Sequence, residues 1–257
     1  MLKILTLNIG NPSLERAKKQ VKWIEQRNED IFILTETKMS SGCLYMAEYF
    51  EQYGLDIFSY QSEKRYSVFF PKSQTGDLGV MIISRWPIKK EYSIFEKNSI
   101  YYSRVAFCEV LYHEKKYSIL GTYIPSRDRS EFKILRKKNF CVYLLEYINH
   151  IRNKENLILG GDLNIVSRKH IPHYSTFYNW EYEFYDSLCE KFVDSYDKIH
   201  PNEKGFTWIG RTVNGYRYDY IFVSYELEKQ IYNCNINSET RELSLSDHAA
   251  VILELDV

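Results

Sequence analysis

Eight short apolar runs punctuate the chain: LKILTLNI (2–9), DIFILTET (30–37), GVMIIS (79–84), RVAFCEVLY (104–112), YSILGTYI (117–124), NLILGGDLNI (156–165), YDYIFVS (218–224) and AAVILELDV (249–257). They are rich in Ile, Val, Leu, Tyr and Phe and too short to be membrane spans. Such runs suit strands buried on one or both faces. Helical patterns lie between some of them. In LERAKKQVKWIEQR, Leu14, Ala17, Val21 and Ile24 recur at helical spacing, with Ser13 placed to cap the N-terminus. EFKILRKKNFCVYLLEYINHIRN carries Phe132, Leu135, Phe140, Leu144 and Ile148 along one stripe, and YEFYDSLCEKFV (182–193) reads as a shorter third helix. Several strand-to-strand steps, as over 80–111, have room for no helix. The expected fold class is therefore α/β, with two mixed sheets packed face to face and helices outside. No repeat, linker or low-complexity tract divides the chain, so 1–257 is expected to be a single domain.

The polar residues at the ends of these runs point to function. Asn8 closes the first run and Glu36 follows IFILT. Tyr123 ends GTY, Asp162 and Asn164 end GGDLN, Asp219 sits in YDYIF, and Ser246, Asp247 and His248 precede the last run. Residues two apart on a strand share a face, which would put Asp162 and Asn164 side by side. Glu36, Asn8 and Asp247 offer hard oxygen ligands suited to magnesium or manganese. Asp162 can orient or deprotonate a water, and Asn164 and His248 can donate to an anionic oxygen. Asp219 can hold His248 in one tautomer. Together these groups describe metal-assisted phosphoester hydrolysis. Taken singly, each has a bland explanation: an Asp-His pair is more often a surface turn, and GGDLN is often just a turn. Their joint order along the chain carries the reading.

That order resembles the endonuclease/exonuclease/phosphatase superfamily, in its exonuclease III and AP-endonuclease type. The matching pieces are LTLNIG, ILTETK, GTYIP, GGDLNI, FTWIG…NGYRYDYIFVS and LSDHAAV, which span residues 4 to 251. The resemblance implies a four-layer α/β sandwich with a divalent metal, usually magnesium. Carried over, Glu36 would ligate the metal, with Asn8 and Asp247 near it. Asp162 would activate water, Asn164 and His248 would bind the scissile phosphate, and Asp219 would support His248. A tyrosine at position 123 is similar to the nuclease branch, where other branches carry a histidine. Trp208, Tyr216 and Tyr218 would fall where AP endonucleases build an apolar pocket, with Arg217 beside them. Gly10, Asn11 and Pro12 depart from the pattern after Asn8, and Ser126 stands where that branch often has Asn.

Arg127, Arg129, Lys133, Arg136, Lys137 and Lys138 follow Tyr123 and are placed to track a phosphate backbone, Arg127 and Arg129 nearest the site. Against a basic, nucleic-acid-wrapping protein stands the charge balance: 34 Lys and Arg offset 34 Asp and Glu. The stretch HYSTFYNWEYEFY is crowded with aromatics that serve either base stacking or the core. Five widely spaced cysteines read as reduced thiols, and no run is apolar enough to cross a bilayer. The expectation is a cytoplasmic monomer acting on nucleic acid, DNA first. The alternatives are a phosphatase or phosphodiesterase of the same superfamily acting on a nucleotide, lipid headgroup or other small phosphoester, and a catalytically dead binding domain.

Overall fold

A computed structural model describes residues 1–52, 66–73, 76–92, 94–151, 155–201 and 203–257. In chain order the strands are β1 (Leu2–Asn8), β2 (Ile31–Thr37), β3 (Ser67–Phe69), β4 (Gly79–Ser84), β5 (Ile88–Tyr92), β6 (Val105–Tyr112), β7 (Lys115–Tyr123), β8 (Leu157–Asp162), β9 (Phe192–Asp194), β10 (Trp208–Ile209), β11 (Gly215–Tyr216), β12 (Asp219–Ser224), β13 (Ile231–Asn237) and β14 (Ala250–Leu255). The helices are α1 (Leu14–Glu25), α2 (Ser41–Gln52), α3 (Glu131–His150), α4 (Asn179–Cys189), α5 (Ser195–Ile199) and α6 (Glu239–Glu242). All eight apolar runs are strands.

Two six-stranded sheets form, ordered β13-β14-β1-β2-β4-β3 and β5-β6-β7-β8-β12-β9. Each is mixed. Only β1–β2 in the first and β7–β8 in the second run parallel; the remaining pairs are antiparallel. Between the sheets Ile4, Ile33, Ile82, Ile119, Ile158, Ile221 and Leu253 form a dry layer. α1 and α2 cover the outer face of the first sheet through Val21, Ile24, Met46 and Phe50. α3 and α4 cover the second through Phe140, Leu144, Phe184 and Leu188. Strands buried on both faces need near-continuous apolar sequence, which is why these runs do not alternate.

Ser13 caps α1 as expected, its side chain accepting from the Arg16 amide. Two helix readings change. Phe132 and Leu135 of α3 are exposed, at 71% and 54%. The inward stripe instead begins at Lys137 and runs through Phe140, Cys141, Leu144 and Ile148. A buried ion pair, described below, takes the place where an apolar residue was expected. α4 starts at Asn179 and stops at Cys189, and Phe192 and Val193 leave it to form β9 against β12. Residues 152 and 153, at the expected end of α3, lie outside the described residues.

The topology sets the site. β1 and β2 are parallel, so Asn8 and Glu36 leave the sheet at one end. β14 runs antiparallel to β1, which brings its N-terminal lead-in, with His248, to that same end. In the second sheet β7 and β8 are parallel, with Tyr123 beside Asp162, and β12 runs antiparallel with Asp219 opposite Asp162. Close strand approach here requires glycine. Gly161 has φ +144°, and a Cβ there would lie 1.9 Å from the Thr122 carbonyl oxygen. Gly161→Ala is expected to destabilise the protein by about 3 kcal/mol or more, through strain and overpacking together. Equilibrium urea unfolding measures this directly.

Candidate active site

Asp162 is the centre of the cluster. Its carboxylate is 1% exposed. Asn8 Nδ2 donates to its Oδ2 at 2.8 Å, a bond that ties one sheet to the other. The Asn164 backbone N–H donates to its Oδ1 at 2.8 Å. His248 and Asp219 complete a group whose ligating atoms all lie within 4.8 Å of one another. Burial pushes the Asp162 carboxyl up to about 8; the charges of Asp219 and Glu36 add to this, while His248 opposes it.

His248 Nδ1 meets Asp219 Oδ2 at 2.7 Å. Burial favours the neutral ring, but the Asp219 carboxylate outweighs it and takes His248 up to about 9. With Nδ1 bound to a carboxylate, Nε2 is the nitrogen left to donate elsewhere. Asp219 is itself positioned by Thr207, whose hydroxyl accepts from the Tyr218 and Asp219 amides at 3.0 and 3.2 Å. Thr207 is fully buried, and its role was not visible in the sequence beyond its place in FTWIG.

Glu36 stands with Tyr123, whose hydroxyl donates to Glu36 Oε1 at 2.9 Å. Glu36 has φ +56°, an uncommon conformation for a non-glycine residue, and is the bulged position of β2 between Thr35 and Thr37. Burial is the main reason the Tyr123 phenol is raised far above its ordinary value, with Glu36 and Asp162 adding to it. Tyr123 is therefore a neutral donor at any working pH. Arg104 lies 5.0 Å over its ring and donates to its carbonyl at 3.3 Å.

Asn164 is reached by a different route from the one expected. β8 ends at Asp162, and Asn164 adopts φ +51° in the turn that follows. An Asx-type turn, not strand alternation, brings the two together. Asn164 Nδ2 donates to Ile124 O at 3.0 Å, leaving its second amide hydrogen free to donate. Asn8 is an equally specific piece. Its Oδ1 accepts from the Gly10 amide at 2.9 Å, so both ends of the amide are in use and it orients Asp162 before it serves any ion.

Asp247 is exposed at the rim, where Trp208 Nε1 donates to its Oδ2 at 3.0 Å. The Trp208, Tyr216 and Tyr218 rings lie beside it; Tyr216 and Tyr218 are stacked at 5.1 Å and Tyr174 stacks on Tyr216 at 4.3 Å. These rings pack on one another at the rim beside Asp247. From the aromatic stretch 173–185, Tyr182, Phe184 and Tyr185 go into the interior, while Tyr174 and Phe177 join this array.

Two residues expected to bind substrate are committed elsewhere. Arg217 is 5% exposed and forks onto Asp194 and Asp197, at 3.0 and 2.7 Å. Arg127 pairs with buried Glu181 and lies 4.3 Å over the Tyr178 ring. Arg136 bonds Asp77 at 3.1 Å and Lys133 bonds Asp128 at 2.8 Å. Of the basic run, Arg129 and Lys138 remain exposed with no ion pair among the described residues.

The donor set suits a hard divalent cation. Among the described residues Asp219 Oδ1 is buried with no hydrogen-bond partner, which costs about 1–3 kcal/mol unless something cationic or a water meets it. Among the described residues no hydrogen bond engages Glu36 Oε2 or Asp247 Oδ1. Carboxylate oxygens crowd one end of the sandwich, with one imidazole and no thiolate near them, a set that fits magnesium or manganese better than zinc.

The endonuclease/exonuclease/phosphatase family profile matches residues 5–248, taking in every group of this cluster. The chain belongs to the endonuclease/exonuclease/phosphatase family. It is 24% identical to the exodeoxyribonuclease of Bacillus subtilis over 273 residues, covering 100% of both chains. Its fold is similar to that of an AP endonuclease from Archaeoglobus fulgidus, with a TM-score of 0.81 at 23% identity and full coverage of both chains. A 3′ phosphatase from Neisseria bound to a product DNA hairpin matches with a TM-score of 0.82 at 22% identity, again over 100% of both. Family membership makes the chain a hydrolytic enzyme of the nuclease and phosphatase class. Among the described residues no helix is long and apolar enough to cross a membrane.

Proposed function

We propose that this protein is a divalent-metal-dependent phosphodiesterase that cleaves nucleic acid, DNA first, as an endonuclease or 3′ exonuclease of the exonuclease III and AP-endonuclease type. The observation that carries the reading is the cluster around Asp162: the Asn8 side chain and the Asn164 backbone amide bond its carboxylate, Asp219 and His248 lie beside it, and the Glu36–Tyr123 pair is near enough for the Glu36 charge to act on it.

In this reading Glu36 and Asp247 would hold a magnesium or manganese ion. The ion supplies positive charge for the phosphate oxygens and makes a nearby water more acidic. Asp162, fixed by Asn8 and by the Asn164 amide, accepts the proton of the attacking water. His248 Nε2, oriented through Asp219, donates to a phosphate oxygen where charge develops, and the Asn164 side chain offers a second donor. Tyr123 stays neutral and holds Glu36 in place. Trp208, Tyr216 and Tyr218 form an aromatic wall next to the reacting group, with base or sugar contacts as their role. The DNA preference draws on the named activities of the similar proteins and on Tyr123. The five free thiols suit a reducing compartment, and we place the protein in the cytoplasm as a single-domain monomer.

A second reading, a phosphatase or phosphodiesterase for a small phosphoester, has one observation in its favour: most of the basic run after Tyr123 is spent on internal ion pairs. One panel separates the two. Purified protein is assayed with magnesium or manganese on abasic duplex, intact duplex, single strands, RNA and small phosphoesters. Cleavage of DNA, abolished by EDTA and restored by excess magnesium, is the expected result. Turnover of small phosphoesters alone would favour the second reading, and activity undiminished in EDTA would remove the metal.

A further inference from the structure

Lys137 and Glu181 are among the most buried charged residues of the protein, at 1% and 0% exposure, and the chemistry above uses neither. Lys137 sits on α3 and Glu181 in the first turn of α4. Lys137 Nζ donates to Glu181 Oε1 at 2.6 Å and to the Asn164 carbonyl oxygen at 2.7 Å. Glu181 Oε2 accepts from Arg127 Nε at 3.1 Å and from the Tyr178 amide at 2.9 Å. The network therefore ends on the backbone of the turn that carries Asn164.

That turn needs support. Asn164 is left-handed, and three of its groups are in use at once: its N–H on Asp162 Oδ1, its amide on Ile124 O, its carbonyl on Lys137. The Ile124 amide in turn donates to the Asp162 carbonyl at 3.0 Å. The buried ammonium needs acceptors beyond Glu181, and the one it takes is the carbonyl of the turn that carries Asn164. A single buried ammonium that grips both a fixed carboxylate and this carbonyl sets where the turn lies relative to the helices.

We infer that Lys137, anchored by Glu181, is a positioning residue that fixes the 162–164 turn and with it the carboxylate of Asp162 and the side-chain donor of Asn164. The inference rests on the phosphoester-hydrolase reading above. Arg127 belongs to the same support, which explains its withdrawal from the substrate face.

The test is steady-state kinetics on a DNA substrate with saturating magnesium, using Lys137→Met and the double variant Lys137→Met/Glu181→Gln. Removing Lys137 alone leaves Glu181 paired with Arg127 and bonded by the Tyr178 amide. The double variant removes both charges of the pair but leaves buried Arg127 facing an uncharged amide, so the single variant is the one whose buried charges stay balanced. Circular dichroism and a cooperative melt establish that each is folded at the assay temperature. The expected result is a kcat lower by about 10- to 100-fold with KM within about threefold, because a small displacement of the base costs turnover more than binding. The double variant shows the same kcat loss wherever it is folded, whatever the change in its melting temperature. A folded variant with wild-type kcat overturns the inference, since a purely structural pair would affect melting and not turnover. A wild-type protein that hydrolyses no phosphoester would instead overturn the hydrolase reading, and this inference with it.

Discussion

Asp162→Asn is expected to reduce DNA cleavage by about three to four powers of ten while leaving the protein folded and able to bind DNA. The size follows from losing the base that takes the proton of the attacking water, a contribution of about 10²- to 10⁴-fold, together with a weaker field around the ion. The fold survives because the amide oxygen can still accept from the Asn164 backbone N–H, although the bond from Asn8 Nδ2 is given up. Stability has a predictable sign. With its folded pKa raised to about 8, Asp162 binds its proton more tightly in the native state than in the unfolded chain. Native stability therefore falls as pH rises from the unfolded carboxyl value towards 8, with the burial cost of the charge fully present above that. The amide carries no such cost. In EDTA at pH 8, Asp162→Asn is expected to melt no lower than wild type, and a scanning calorimeter shows it. Wild-type turnover in this variant would remove Asp162 from the chemistry.

His248→Ala is expected to lower kcat by about two to three powers of ten, roughly 3 to 4 kcal/mol, the usual loss for one preorganised donor to a developing oxyanion. Truncation also strands Asp219, whose Oδ2 loses its imidazole and whose Oδ1 has no partner to begin with. A fall in melting temperature is expected alongside the kinetic loss. His248→Gln separates the two, since a neutral amide can donate to phosphate but does not answer the Asp219 charge. Single-turnover rates at saturating enzyme measure the donor's worth independently of DNA binding. A His248→Ala protein with unchanged single-turnover rate would place the imidazole outside the reaction.

How much of this was legible in the sequence depends on the scale of the interaction. The strands covered on both faces were legible, since they must be apolar throughout, and GVMIIS or YDYIFVS has few other uses; the shorter or more polar β3, β5, β9, β10, β11 and β13 were not. The candidate site residues stood out because a polar group ending such a strand is locally anomalous: Asp162 after LILGG, Glu36 after IFILT, His248 before AAVIL. What could not be read was which partner each polar group would choose. Arg127 and Arg217 looked available beside the motifs, yet each is bound to carboxylates far along the chain, Glu181 for one and Asp194 with Asp197 for the other. Long-range ion pairing leaves no periodic trace. Lys137 shows the same limit, since a lysine in KILRKKNF reads as solvated helix surface until Glu181 is brought against it. Asn164 was assigned the right neighbour for the wrong reason, because a left-handed asparagine two residues on mimics strand alternation.

The central claim is that one cation and one phosphorus atom are surrounded by groups from both sheets. Anomalous scattering from manganese in crystals of Asp162→Asn protein with a short DNA duplex tests it most directly. The account predicts a manganese peak at about 2.1 Å from a Glu36 carboxylate oxygen, with a backbone phosphate bridging it to His248 Nε2. A manganese peak away from Glu36, or DNA seated so that no phosphate approaches His248, would contradict it.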